Sequence, residues 1–124
     1  MNNLMIPSTK YTMGVDFNSE NGILQLKGAS YPEDALAFFT PVYNWLEEFI
    51  SENTMKISFE IELTYVNSSS SKCFIDLFEL IEGFYKNDGK VIVKWFYEED
   101  DEEIYESGEE LLEDMSFPYE LISI

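Results

Sequence analysis

Met55-Lys56-Ile57-Ser58-Phe59-Glu60-Ile61-Glu62-Leu63-Thr64-Tyr65 puts an apolar residue at every odd position and a polar one at every even position. Successive side chains of a strand point to opposite faces, so this stretch predicts a strand with one buried face and one polar face. A sheet wrapped on both sides would read instead as continuous apolar runs. The layers of the fold follow from this one segment: helices belong mainly on the odd-numbered face.

Immediately downstream, Val66-Asn67-Ser68-Ser69-Ser70-Ser71-Lys72-Cys73 leads into a helical pattern running from about Ser70 to Lys86. Cys73, Phe74, Leu77, Leu80, Ile81 and Phe84 fall on one side, and Lys72, Asp76, Glu79 and Lys86 on the other. Four consecutive serines at a strand-to-helix junction have two readings. A serine hydroxyl can cap the unpaired N–H groups of the first turn, with the other serines as solvated spacers. The same N–H groups and the positive end of the helix dipole also form an anion site suited to a phosphate on one of the hydroxyls. Asn67 reads as a cap or turn residue at the strand end. Lys72 is either a solvated first-turn lysine or a counter-charge for a phosphate.

Outward from this core, Tyr11, Met13, Val15 and Phe17 alternate with polar residues or glycine, and Ile23 to Lys27 follow the turn signal Asn18-Ser19-Glu20-Asn21-Gly22. Together they predict an N-terminal hairpin. Phe38, Val42, Trp45, Leu46 and Phe49 recur at helical spacing from about Pro32 to Phe49, with Pro41 expected to kink or split that helix. Val91 to Tyr97 reads as a largely buried strand, about Asp101 to Asp114 as a third helix weakened by Gly108, and Tyr119 to Ile122 as a short last strand. This order demands crossover connections. The predicted fold is α/β: a single domain over residues 1–124, two layers, with a mixed sheet of about five strands and three main helices mostly on one face.

The chain has 124 residues and a formal net charge of -18, from 25 acidic and 7 basic residues. Phosphates of nucleic acid and anionic membrane surfaces would be repelled, whereas basic protein surfaces would be attracted. No segment has the length of a membrane span and the N-terminus lacks signal-peptide features, so a cytoplasmic protein is expected. The single cysteine, Cys73, lies on an apolar stripe and reads as a small buried hydrophobe.

The absence of histidine removes the commonest general base, the Ser-His and Cys-His pairs, and most transition-metal sites. Nor is there a glycine-rich phosphate loop. Glu98-Glu99-Asp100-Asp101-Glu102-Glu103 matches no cation-ligand template and reads as a solvated helix start or an acidic docking surface. The aromatic groups around Phe38, Phe39 and Trp45 and around Trp95, Phe96 and Tyr97 read as core packing. No enzyme, cofactor or metal centre is expected.

Several stretches together carry a family resemblance. Thr9-Lys10-Tyr11-Thr12, Gly28-Ala29-Ser30-Tyr31-Pro32-Glu33, the Tyr65 to Lys72 junction, Trp95 to Asp101 and Glu113-Asp114-Met115-Ser116-Phe117-Pro118, in this order, make the chain resemble the SiaC family of bacterial regulatory phosphoproteins. The resemblance implies a STAS-like fold. It also implies phosphorylation by a dedicated protein kinase, reversal by a metal-dependent serine/threonine phosphatase, and binding and activation of a diguanylate cyclase by the unphosphorylated form, linked to cyclic-di-GMP and biofilm formation. The family's acceptor is typically a threonine in an Asn-Thr-Ser-Ser stretch; the matching position here is Ser68, with Ser69 and Ser70 as alternatives and Asn67, Ser71 and Lys72 around it. A reading from another class is an acidic interaction protein that mimics nucleic acid in a basic groove.

Overall fold

The computed structural model describes residues 1–52 and 55–124. Its elements are β1 (Leu4–Ile6), β2 (Gly14–Phe17), β3 (Ile23–Ser30), α1 (Ala35–Glu52), β4 (Ile57–Val66), α2 (Ser68–Lys86), β5 (Val91–Tyr97), α3 (Glu102–Leu112) and β6 (Tyr119–Ser123). They build one six-stranded sheet whose spatial order equals the chain order. The β1–β2 and β2–β3 pairs are antiparallel, and each later pair is parallel with one helix as its crossover.

The alternation holds from Ile57 to Thr64, where Ile57, Phe59, Ile61 and Leu63 are buried, Ser58, Glu60 and Glu62 are half-exposed and Thr64 is exposed, but not beyond: Tyr65 and Met55, expected on the buried face, are exposed. All three helices therefore cover the odd face of this strand. One core forms between the layers, and its largest fully buried side chains include Trp95, Phe17, Phe39, Phe59, Phe74, Phe78 and Phe117. Phe39, Trp45 and Trp95 pack there with Phe38 and Tyr97 against them, so the two aromatic groups are core as expected except for Phe96, which is half-buried on the opposite face of the sheet. The other face carries polar links across strands, from Gln25 Nε2 to Glu60 Oε1 (3.0 Å) and between Lys27 and Glu62 (3.5 Å).

Four details correct the sequence reading. The sheet has six strands rather than about five, because Leu4-Met5-Ile6 pairs with Phe17-Asp16-Val15; three adjacent apolar residues carry no alternation to read. The hairpin strand starts at Gly14, with Thr9 to Thr12 in a turn held by the Thr9 hydroxyl, which accepts from the N–H groups of Tyr11 and Thr12. The first helix starts at Ala35 rather than Pro32, and Asp34 Oδ1 accepts from Ala37 N at 3.1 Å. Pro41 lies inside this helix without splitting it. Pro41 and Ala37, the residue whose carbonyl loses its partner, are both exposed, on the side of the helix away from the core. Meanwhile Phe39, Val42, Trp45, Leu46 and Phe49 hold both halves to the same core.

Candidate regulatory site at the β4–α2 junction

Parallel strands send their carboxyl ends and the following helix starts to the same edge of the sheet, and there β3, β4 and α2 meet. Asn67 leaves β4 with extended backbone (φ -87°, ψ 172°) and is the N-cap of α2, its Oδ1 accepting from Ser70 N at 2.8 Å. The helix thus begins at Ser68, two residues before the expected start, and of the two cap readings it is Asn67, not a serine, that caps it. Asn67 is tied on both sides: its N–H donates to the Ser30 carbonyl (3.0 Å), and its carbonyl accepts from Ser71 N (2.9 Å).

This arrangement separates serines that the sequence leaves equivalent. Ser68 and Ser69 are exposed, Ser71 is half-buried, and Ser70 is fully buried, its hydroxyl accepting from the Ser30 hydroxyl at 2.8 Å. Ser70 is therefore an inward-facing structural residue in this fold, unsuited as the alternative acceptor. Ser68 occupies the first helical position, where a phosphate would meet the positive end of the helix dipole. Lys72 is exposed one turn on.

Two features surround the junction that sequence reading missed. On one side Tyr11, Tyr31 and Tyr65 form a chain of edge-to-face rings, with centroids 5.2 and 5.4 Å apart, and Lys10 lies over the Tyr11 ring. Tyr11 and Tyr65 are about half exposed. On the other side a shallow cleft of about 770 Å³ is lined by Glu33, Asp34, Leu36, Ser69 and Lys72 among others. Leu36 is 64% exposed, an apolar side chain open to solvent beside the serines. The signal for Ser30 was a serine ending a strand just before Tyr31-Pro32; its partner, 40 positions away, leaves no local trace.

Beneath the junction, Cys73 is buried and unpaired, as expected, and its carbonyl accepts from the Tyr43 hydroxyl at 2.7 Å. Burial first, then interactions with Cys73 and Asp76, push the Tyr43 phenol well above the ordinary tyrosine range. The acidic run occupies the turn before α3 and its first turn: Asp101 Oδ1 caps Ile104 N (3.1 Å), and Glu102 and Glu103 follow at the positive end of the dipole. Among the described residues, no group of three or more acidic or cysteine side chains is arranged to hold a metal ion, and no helix is long and apolar enough to cross a membrane.

Known proteins are similar to this chain in architecture and in sequence. The family model described as "SiaC family regulatory phosphoprotein" matches residues 6–124. An uncharacterised protein of Pseudomonas aeruginosa (strain UCBPP-PA14) is 33% identical over 119 residues, which cover 96% of this chain and 94% of that protein. The crystal structure of apo-SiaC from Pseudomonas aeruginosa superposes with a TM-score of 0.92 at 32% identity, covering 98% of this chain and 99% of the other. SiaC from the same organism, in the crystal structure of the diguanylate cyclase SiaD in complex with its activator SiaC, gives a TM-score of 0.93 at 31% identity with the same coverage. The α/β sheet, the helices on its odd face and the junction at Asn67 are thus those of a chain that belongs to the SiaC family of regulatory phosphoproteins.

Proposed function

We propose that this protein is a non-enzymatic partner switch. Its unphosphorylated form binds and activates a diguanylate cyclase; a cognate protein kinase modifies Ser68, and a metal-dependent serine/threonine phosphatase reverses the modification. The observation that carries this reading is the sorting of hydroxyls at the start of α2. Ser68 is exposed at the first helical position, outside a cap supplied by Asn67, while Ser70 is locked inward. A phosphate adds about -1.5 to -2 charge at pH 7. The free fold tolerates that charge at a helix N-terminus, whereas a partner seated over it must desolvate it. The solved complex of a similar SiaC with the cyclase SiaD supports the choice of output.

The test is phosphotransfer from ATP by the cognate kinase, with the product mapped by fragmentation mass spectrometry. Phosphate on Ser68 is expected. Phosphate confined to residues outside 67–71 overturns the switch at this junction.

A further inference from the structure

A second surface lies beside the phosphorylatable end of α2. Ser71, Ile75 and Glu79 of α2 face Glu110 and Leu111 of α3 and Asp114 just past its end across a cleft of about 460 Å³. Its floor is apolar: Leu111 and Met115 are half-buried against the core, and Ile75 is 41% exposed. Its rim is anionic. Glu79, Glu110 and Asp114 are all exposed, and the two ion pairs found among the described residues, Lys27 with Glu62 and Lys86 with Glu82, do not involve them.

We propose that this α2–α3 cleft is a docking groove for a basic amphipathic helix of a partner protein. A groove between two helices with an apolar floor accepts the apolar stripe of a third helix through residues spaced three and four apart. Three carboxylates on the rim, on a chain of net charge -18, select lysine or arginine flanking that stripe and disfavour an acidic helix. The groove also joins the proposed switch. Ser68, Ser71, Ile75 and Glu79 are spaced by three, four and four residues, so they lie along one stripe of α2. A helix laid in the groove and extending past Ser71 therefore ends over Ser68, where a doubly charged phosphate would have to be desolvated beneath it. This link deepens the partner-switch reading and rests on it; the groove itself does not require a kinase to be tested.

The experiment is an amide chemical-shift titration of the unphosphorylated full chain, at near-physiological salt, with a synthetic leucine/lysine amphipathic peptide of about five helical turns. The matching leucine/glutamate peptide is the control. Saturable shifts centred on Ser71, Ile75, Leu111 and Met115 with the lysine peptide alone are expected. The paired change Ile75→Ser with Glu110→Lys should weaken binding by about tenfold or more, whereas reversing the exposed α1 charges Glu47→Lys and Glu48→Lys should leave it within about twofold. Equal weakening by both pairs would reveal binding to the overall charge and overturn the proposal. So would shifts centred on the open sheet face around Phe96 and Ile122, or no saturation. Failure here alongside phosphate on Ser68 would leave the switch standing and move the docking surface elsewhere; success without that phosphate would leave a docking protein without the switch.

Discussion

The hydroxyls of Ser30 and Ser70 lie 2.8 Å apart, and both residues are fully buried. They join the end of β3 to the first turn of α2 across 40 positions, and they satisfy each other where water has no access. Removing one member strands the other's hydroxyl in the core, at about 1–3 kcal/mol. Removing both leaves only small voids. Ser70→Ala is therefore expected to lower unfolding free energy in urea by that amount, and Ser30→Ala/Ser70→Ala by less than the sum of the single changes. Additive losses would show that the two hydroxyls do not depend on each other.

Gly108 looks like a weak point in α3 by helix propensity, since alanine would favour the helix by about 1 kcal/mol. Its surroundings reverse that expectation. A Cβ there would sit 2.5 Å from Cδ1 and Nε1 of Trp95, whose Nε1–H donates to the Ile104 carbonyl at 2.9 Å. Gly108→Ala must push α3 off the sheet or turn the indole away from that bond. A net loss of about 1–3 kcal/mol is expected, together with a shift in tryptophan emission. An alanine variant as stable as the parent would mean that α3 is not seated on Trp95.

Much of this was legible because it is local. The strict alternation from Ile57 to Leu63 gave the buried face of β4, and the apolar stripe of α2 fixed which side of that helix meets the sheet. The junction at Asn67 was also readable, since a cap residue followed by hydroxyls marks a helix start. What stayed hidden was either too short or too distant. Leu4-Met5-Ile6 is a strand only because Phe17, Asp16 and Val15 lie beside it. The inward turn of Ser70 depends on Ser30, and the need for glycine at position 108 depends on an indole 13 positions away.

Tyr43 makes the stability pH-dependent at the alkaline end. Its phenol is half-buried between α1 and α2, bonded to the Cys73 carbonyl, and its pKa is raised, chiefly by burial. The neutral form is thus favoured in the folded state. Its contribution is complete below the unfolded tyrosine value of about 10 and is lost as the pH rises above that. Tyr43→Phe loses a hydrogen bond, about 1 kcal/mol at neutral pH, but cannot ionise. The stability gap between the two proteins, from urea unfolding, is expected to narrow from pH 8 to pH 11. A gap that widens with alkalinity would contradict the direction of the shift.

Substitution at Ser68 separates the fold from the proposed switch. At the first position of α2, an aspartate faces the positive end of the helix dipole and leaves the Asn67 cap intact, since Ser70 N remains bonded to Asn67 Oδ1. Ser68→Asp should therefore leave the free protein as stable as the parent or raise it by up to about 1 kcal/mol, while Ser68→Ala changes it little. Calorimetry against the cyclase is expected to show the opposite ordering, with Ser68→Ala binding like the parent and Ser68→Asp weaker, because only the complex must desolvate the added charge. Equal affinities for the two variants would sink the switch at this position. A loss of more than about 1 kcal/mol in the free Ser68→Asp protein would instead show that charge at this helix start disturbs the fold itself.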